Sequence, residues 1–247
     1  MKNDISIQHF ESIDSTNNAA RRLVASGSVK KPTLITASTQ TAGKGRMGRS
    51  FYSPDKTGIY MSLVFKADAF SEAITRVTTA AAVSVHEIIG KYASIEAQIK
   101  WVNDIYIDGK KVCGILCESV LDNIGDRYVI AGIGVNLNTR EFPDGLRAPA
   151  GSVFDGLEAL PNSLASSMAL DIADRLLDKL AGGDTAVDLD TYRRNSYLDG
   201  KRIVCTVGNR SFEGVALGIG DDFSLCVLTD NGETVNLSGG EATVKVM

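Results

Sequence analysis

T-A-G-K-G-R-M-G-R, running from Thr41 to Arg49, is followed by Ser50, Phe51, Tyr52, Ser53 and Pro54. Three glycines and three cations share these nine residues, and from Ser38 through Pro54 there is no Asp or Glu. The segment concentrates positive charge in a chain whose formal net charge is -4. Glycines let the backbone turn sharply and bring its N–H groups against a ligand, while Arg adds a two-toothed grip on carboxylate or phosphate. The composition fits a local anion site, and it also fits a basic surface loop with no ligand. No G-K-S/T closes a Walker loop, and G-x-G-x-x-G is met only loosely, through Gly43, Gly45 and Gly48.

Working outward, Thr33 to Ala37 and Gly58 to Phe65 read as strands that deliver the chain into this loop and carry it away. Ile5 to Ile13 alternates like an opening strand. Asp14, Ser15 and Thr16 then offer capping oxygens to a helix with Ala19, Ala20, Leu23 and Val24 on one face, which Gly27 ends. Ser15-Thr16-Asn17 is readable as a plain N-cap, although a helix N-terminus also presents N–H groups to a polar ligand. A longer helix is expected from a cap at Ser71 to about Gly90, with Ile74, Val77, Ala81, Val85 and Ile88 or Ile89 facing the core. Ile95 to Lys100, Ile105 to Ile107, Val112 to Glu118 and Tyr128 to Asn136 read as a meander of strands with a hairpin turn at Asp108-Gly109. Lys100, Trp101, Asn103, Asp104 and Lys111 gather at the ends of those strands, where turn and surface roles are equally open to them.

Past Asn138, Pro143 and Pro149 mark a loop. Met168, Ile172, Leu176 and Leu180 then form a ladder on a helix that Gly182-Gly183 stops, and Leu189 to Leu198 reads as one more helix. From Lys201 the pattern changes to five short β segments, Ile203–Val207, Phe212–Ile219, Ser224–Leu228, Glu233–Leu237 and Ala242–Val246. The fold class is therefore α+β, with a large unit over 1–198 and a small barrel over 199–247 expected to pack on it.

Composition narrows the chemistry. At 247 residues and 44% apolar content the chain can build a sizeable core. Its acidic balance, without long basic tracts, argues against a nucleic-acid surface. No apolar run approaches the roughly 20 residues of a membrane span. Cys113, Cys117, Cys205 and Cys226 are scattered without a C-x-x-C, and no signal peptide is evident, which points to a reduced, cytoplasmic setting. His9 and His86 lie far apart and beside no cysteine, so a zinc site or histidine triad is not expected.

Five motifs in order carry a resemblance: S-T-N at Ser15 to Asn17, the Thr41–Arg49 loop, K-W-V-N-D-I at Lys100 to Ile105, G-K-K-V-C-G-I-L at Gly109 to Leu116, and G-I-G-V-N-L-N at Gly132 to Asn138. Together they resemble the biotin protein ligase family over nearly the whole chain. The resemblance implies a mixed sheet like that of class II aminoacyl-tRNA synthetases, followed by an SH3-like β-barrel. It implies a two-step reaction: biotin and ATP, with Mg2+, give biotinyl-5'-AMP, and the acyl group passes to a lysine of a biotin carboxyl carrier domain of acetyl-CoA carboxylase or another carboxylase. Carried over residue by residue, it puts Ser15, Thr16, Asn17, Gln40, Gly43, Lys44, Arg46, Lys111 and Gly114 at the biotin. Arg46, Arg49, Phe51, Asn103, Asp104, Lys111 and Asn136 fall at the ATP or adenylate, Asp104 being a candidate Mg2+ ligand. Arg46 and Lys111 would be catalytic, and Trp101 would pack.

Two departures stand out. Members commonly read G-R-G-R and K-W-P-N-D where this chain has Lys44 and Val102, and Lys44 lacks the planar fork of an arginine. Phe51 stands where a tryptophan often stacks on adenine. A lipoate-protein ligase is the nearest rival, but the R-R-x-x-G-G-G-x-V-x-H-D run is absent; a non-catalytic biotin binder is another. A biotin-responsive repressor would need a helix-turn-helix before the catalytic domain, and the chain is expected to be the monofunctional form, a monomer or homodimer with no DNA partner.

Overall fold

The computed structural model describes residues 3–67, 74–146, 148–157, 159–161, 163–182, 185–238 and 242–246. β1 (Ser6–Ile13) runs parallel to β2 (Thr33–Gln40), and the crossover between them is α1 (Thr16–Ala25). Gly27 takes φ 64°, and the bonds Gly27 N–H to Val24 O and Ser28 N–H to Leu23 O close the helix end. β3 (Gly58–Lys66) returns antiparallel to β2. After α2 (Ile74–Ala93), β4 (Gln98–Lys100), β5 (Asp104–Ile107), β6 (Lys110–Leu121) and β7 (Arg127–Asn136) form the expected meander. The sheet order is β1-β2-β3-β7-β6-β5-β4, so β7 docks against β3 in the middle. Asp108 (φ 49°) and Gly109 (φ 73°) make the left-handed turn that matches strand twist in a two-residue hairpin.

Alternation along the strands sorts the two faces. Ile59, Met61, Leu63 and Phe65 of β3, Val129, Ala131, Ile133 and Val135 of β7, and Cys113 and Ile115 of β6 are buried in one core with α2 and with α3 (Leu164–Leu180). The opposite face carries α1 at one end, packed on Ile35, Val64, Tyr128 and Ile130. The intervening positions there are Gly114 on β6 and Gly132 and Gly134 on β7, and the register pairs Gly114 with Gly134.

Two expectations change. The helix predicted over Leu189–Leu198 is α4, Thr185–Arg194, and Leu198 lies past its end. Residues 195–197 instead hydrogen-bond the outer edge of β4: Ile99 N–H donates to Asn195 O (2.7 Å) and Tyr197 N–H to Ile99 O (2.9 Å). An unpaired sheet edge has claimed backbone that local propensity would have left helical. Likewise Ile95 to Lys100 is a strand only from Gln98, because Ser94 turns at φ 53°. The cap at Ser71 and the stop at Gly183 lie outside the described residues.

β8 (Arg202–Val207), β9 (Arg210–Ile219), β10 (Leu225–Thr229), β11 (Thr234–Leu237) and β12 (Ala242–Val246) form a second, antiparallel sheet in the order β11-β10-β9-β8-β12. Among the described residues it stays open, with no ladder from β12 to β11, so the expected closed barrel is not seen. Its inner side chains, including Ile203, Ala216, Leu225 and Val227, share the core of the large sheet. Trp101 Nε1 donates to Phe223 O (2.9 Å) across the junction, so Trp101 packs and ties as the sequence suggests.

Behind the sheet an ion network joins three helices. Lys179 Nζ lies 2.6 Å from Asp188 Oδ1 and 3.0 Å from Glu87 Oε1, and Arg76 Nη1 lies 3.2 Å from Asp188 Oδ2. Asp188 is only 2% exposed and Lys179 only 4%. Removing the carboxylate takes one of two carboxylate partners from the buried Lys179 and an ion-pair partner from Arg76, so Asp188→Ala is expected to cost about 3 kcal/mol in urea unfolding. A value under about 1 kcal/mol, the range of exposed pairs, would show that the network does not hold the helices.

Candidate active site

The glycine face, the loop after β2, Phe142, Gly145, Leu146, Ala148 and Ala150, and β12 enclose a cleft of about 590 Å³. At one end lie Ser15, Thr16 and Asn17, all buried. Ser15 occupies the N-cap of α1 with extended backbone, yet its side chain makes no capping bond. Gln40 serves the first turn instead: its Oε1 accepts from Thr16 N–H (2.9 Å) and Thr16 Oγ1 (3.2 Å), while its Nε2 donates to Ser53 Oγ (2.8 Å). Ser62 Oγ lies 2.8 Å from Thr16 Oγ1 and 2.6 Å from Asn17 Oδ1. The N-cap reading of Ser15 to Asn17 thus gives way to a polar wall.

The basic loop folds into a small hairpin. Lys44 bridges Ser50, Gly45 N–H donates to Arg49 O (2.7 Å), and Met47 (φ 56°) and Gly48 (φ 71°) turn the tip. Arg46 reaches back across the cleft, its Nη1 donating to Asn103 Oδ1 (2.8 Å), and Asn103 in turn is fixed by Nδ2 to Ile115 O (2.9 Å). Burial pulls the Arg46 pKa down, Asp104 opposing this and Arg49 adding to it, so a desolvated cation faces the cleft. Lys44 and Arg49 stand exposed on the rim. Phe51 leaves the loop with its ring over Gly114 and Gly134 and edge-on to Tyr60, 6.5 Å between centroids.

At the other end Lys111 Nζ lies 2.6 Å from Asp104 Oδ1, and the lysine stem crosses Gly114. Asn136 is buried and donates from Nδ2 to Gly151 O (3.0 Å), while Lys111 N–H donates to Pro149 O (2.8 Å), so both hold the segment that roofs this end. Burial lowers the Lys100 pKa; Asp104 counters it, and Lys111, Lys201 and Lys245 deepen it. Asp104 is the one carboxylate among the described residues that line the cleft.

Thus Ser15, Thr16, Asn17, Gln40, Lys44, Arg46, Arg49, Phe51, Asn103, Asp104, Lys111, Gly114 and Asn136 all come to one cleft. Gly43 does not line it. That glycine is buried behind Gln40, where a Cβ would sit 2.5 Å from Phe51 O and 3.0 Å from Gln40 Nε2, so its role is to let the loop close on its own backbone. The motifs leave out Ser62, Glu118 and Lys245. Ser62 was readable as the one serine in the apolar run of β3, whereas no local signal brings Lys245 here from the second sheet.

Residues 9–136 match the profile of the Biotin/lipoate A/B protein ligase family. The chain belongs to this family. A bifunctional ligase/repressor BirA of Bacillus subtilis is 34% identical, covering 94% of this chain and 73% of that protein. A biotin-(acetyl-CoA-carboxylase) ligase of Paracoccus denitrificans is 32% identical, covering 90% of this chain and 94% of the relative. In three dimensions the chain is similar to the biotin protein ligase of Aquifex aeolicus in complex with biotin and ATP, at TM-score 0.82 and 24% identity, covering 98% and 99% of the two chains. That likeness is one of fold.

Within this family member the glycine floor is the testable feature. A Cβ at Gly134 would lie 2.5 Å from the Phe51 ring, whereas one at Gly114 meets chiefly the flexible end of Lys111 at 3.1 Å. Gly134→Ala is therefore expected to destabilise by about 2 kcal/mol in urea unfolding, and Gly114→Ala by less than half of that. Equal effects would mean that Phe51 does not rest on the floor.

Proposed function

We propose that the protein is an ATP-dependent biotin protein ligase. It joins biotin to ATP as biotinyl-5'-AMP and then transfers biotin to a lysine of a biotin carboxyl carrier protein. The observation that carries this reading is a single cleft with a neutral polar wall at one end and desolvated cations, Arg46 and Lys100 beside Lys111, at the other. It is supported by the Paracoccus relative, a biotin ligase by name, and by the Bacillus relative, a ligase and repressor.

In the first step a biotin carboxylate oxygen attacks the α-phosphorus of ATP. The bond from that phosphorus to the bridging oxygen breaks, and pyrophosphate leaves. Two anions must approach, so positioning and positive charge do the catalysis, with no covalent nucleophile from the protein. Arg46 holds the carboxylate and later the adenylate phosphate, and Lys111 faces the reacting carbonyl and phosphate. Asp104 keeps the Lys111 ammonium aimed along the floor at 2.6 Å. Ser15, Thr16, Asn17, Gln40 and Gly114 take the ring end of biotin, with Lys44 and Gly43 shaping the loop beside it. Arg49, Phe51, Asn103 and Asn136 attend the adenylate. In the second step the carrier lysine, as free amine, attacks the acyl carbon; the bond from that carbon to the phosphate oxygen breaks, AMP leaves, and the amine loses a proton.

Mg2+ takes oxygen ligands and is commonly held by one or two carboxylates together with substrate phosphates. Asp104 fits that requirement as a single protein carboxylate in the cleft. It would hold the ion against ATP, and the ion would supply charge neutralisation there. Residues 199–247 are read as the SH3-like unit that follows a catalytic unit over 1–198, in support of which β12 returns to pair with β8. A cytoplasmic monomer or homodimer completes the reading.

The mixed anhydride is labile to water, which gives the hairpin carrying Arg46 a reason to cover it. Labelled biotin should pass to a carrier domain with the wild-type protein, and Lys111→Ala should lose nearly all transfer, on the order of 100-fold or more, while still folding. Full activity in the variant would remove Lys111 from the chemistry; incorporation of lipoate in place of biotin would overturn the substrate. Arg46→Gly should release biotinyl-AMP and label bystander proteins, and retention of the intermediate at wild-type level would sink the covering role.

A further inference from the structure

Outside the motifs, Glu118 on β6 meets the polar wall from behind. Its Oε1 accepts from Arg21 Nη2 (2.6 Å) at the surface, and its Oε2 accepts from Asn17 Nδ2 (2.9 Å). Leu116 O is a second acceptor on the same side of Asn17 (3.4 Å). An ionised carboxylate and a carbonyl can only accept, so the Asn17 amide nitrogen must point toward them. Its Oδ1 then faces Ser62 Oγ at 2.6 Å and receives that hydroxyl's single proton. With the amide reversed, an NH2 group would face Ser62, whose proton would turn to Thr16 Oγ1, 2.8 Å away. Gly132 keeps Asn17 in place, because a Cβ there would collide with Asn17 Oδ1. From Arg21 through Glu118 and Asn17 to Ser62, each donor is thus directed from one end.

We infer that Glu118 is a positioning residue for biotin recognition: it fixes the orientation of the Asn17 amide and through it the pattern of donors and acceptors that the wall presents to the polar ring of the ligand. The inference rests on the reading of this cleft as a biotin site. It concerns ligand affinity and not the chemical step, because Glu118 lies behind the wall, away from Arg46 and Lys111.

Biotin-dependent exchange of pyrophosphate into ATP tests it. Glu118→Leu should raise KM for biotin about tenfold, as expected for one lost hydrogen bond to a charged group, with kcat and KM for ATP within about twofold of wild type. Glu118→Gln, which still accepts from Asn17, should restore KM to near wild type. In an Asn17→Ala background Glu118→Leu should add nothing further, the signature of one residue acting through the other. If Glu118→Leu does not fold, Glu118→Ala carries the same comparison. An unchanged KM for biotin, an equal loss in every kinetic constant, or full additivity with Asn17→Ala would each overturn the inference while leaving the ligase reading intact. Absence of exchange in the wild type would overturn that reading and the inference with it.

Discussion

A patch of β-sheet without side chains is the constraint on which the rest depends. Gly114, Gly132 and Gly134 interrupt one face of β6 and β7 while the alternate positions bury Cys113, Ile115, Ile133 and Val135 against the helices. A ligand can reach the backbone only where that face is bare, and the core packs against the other side of the same strands. Everything else in the cleft is arranged around this absence: Phe51 and the Lys111 stem lie across it, and Asn17 rests on Gly132. Strand alternation makes the arrangement economical, since one heptapeptide, G-I-G-V-N-L-N, supplies core on one side and floor on the other.

Electrostatics divides the cleft lengthwise. The wall from Ser15 to Gln40 is neutral and its groups are largely satisfied by one another, so it can discriminate by hydrogen-bond pattern. The far end gathers cations from the basic loop, from β4, from β6 and from β12 about the carboxylate of Asp104. Burial weakens the hold of Lys100 and Arg46 on their protons, and incoming anions would relieve that cost. A substrate neutral at one end and anionic at the other meets both conditions at once.

The second sheet is more than an appendage in energetic terms. Its inner residues share one core with the large sheet, the Trp101–Phe223 bond ties the two, and Val244 and Lys245 reach the cleft. The strap at 195–197 along β4 lies where the chain passes from one sheet to the other, so the end of α4 is set by sheet pairing.

Much of this was legible in local pattern. Short apolar runs located β3 and β7, the Asp108-Gly109 pair announced its hairpin, and the order of five motifs pointed to the family before any distance was known. The meander over β4 to β7 also followed from neighbouring strands pairing with their successors. What lay beyond reach were decisions made between distant segments. Gly43 carries the same letter as the floor glycines, yet it is packed behind Gln40, because backbone at Phe51 and not a ligand approaches it. Ser15 looked like a cap, but its side chain makes no capping bond, and the Thr16 N–H is met by Gln40 on the strand that follows α1. The helix expected to Leu198 ended at Arg194 because β4 offered unpaired backbone. By itself the sequence determined which residues are apolar, which turns are left-handed and which motifs occur, since these depend on covalent structure and nearest neighbours. Only the tertiary structure decided which hydrogen-bonding group meets which, because each buried polar group takes the partner that folding brings nearest, whatever its distance along the chain.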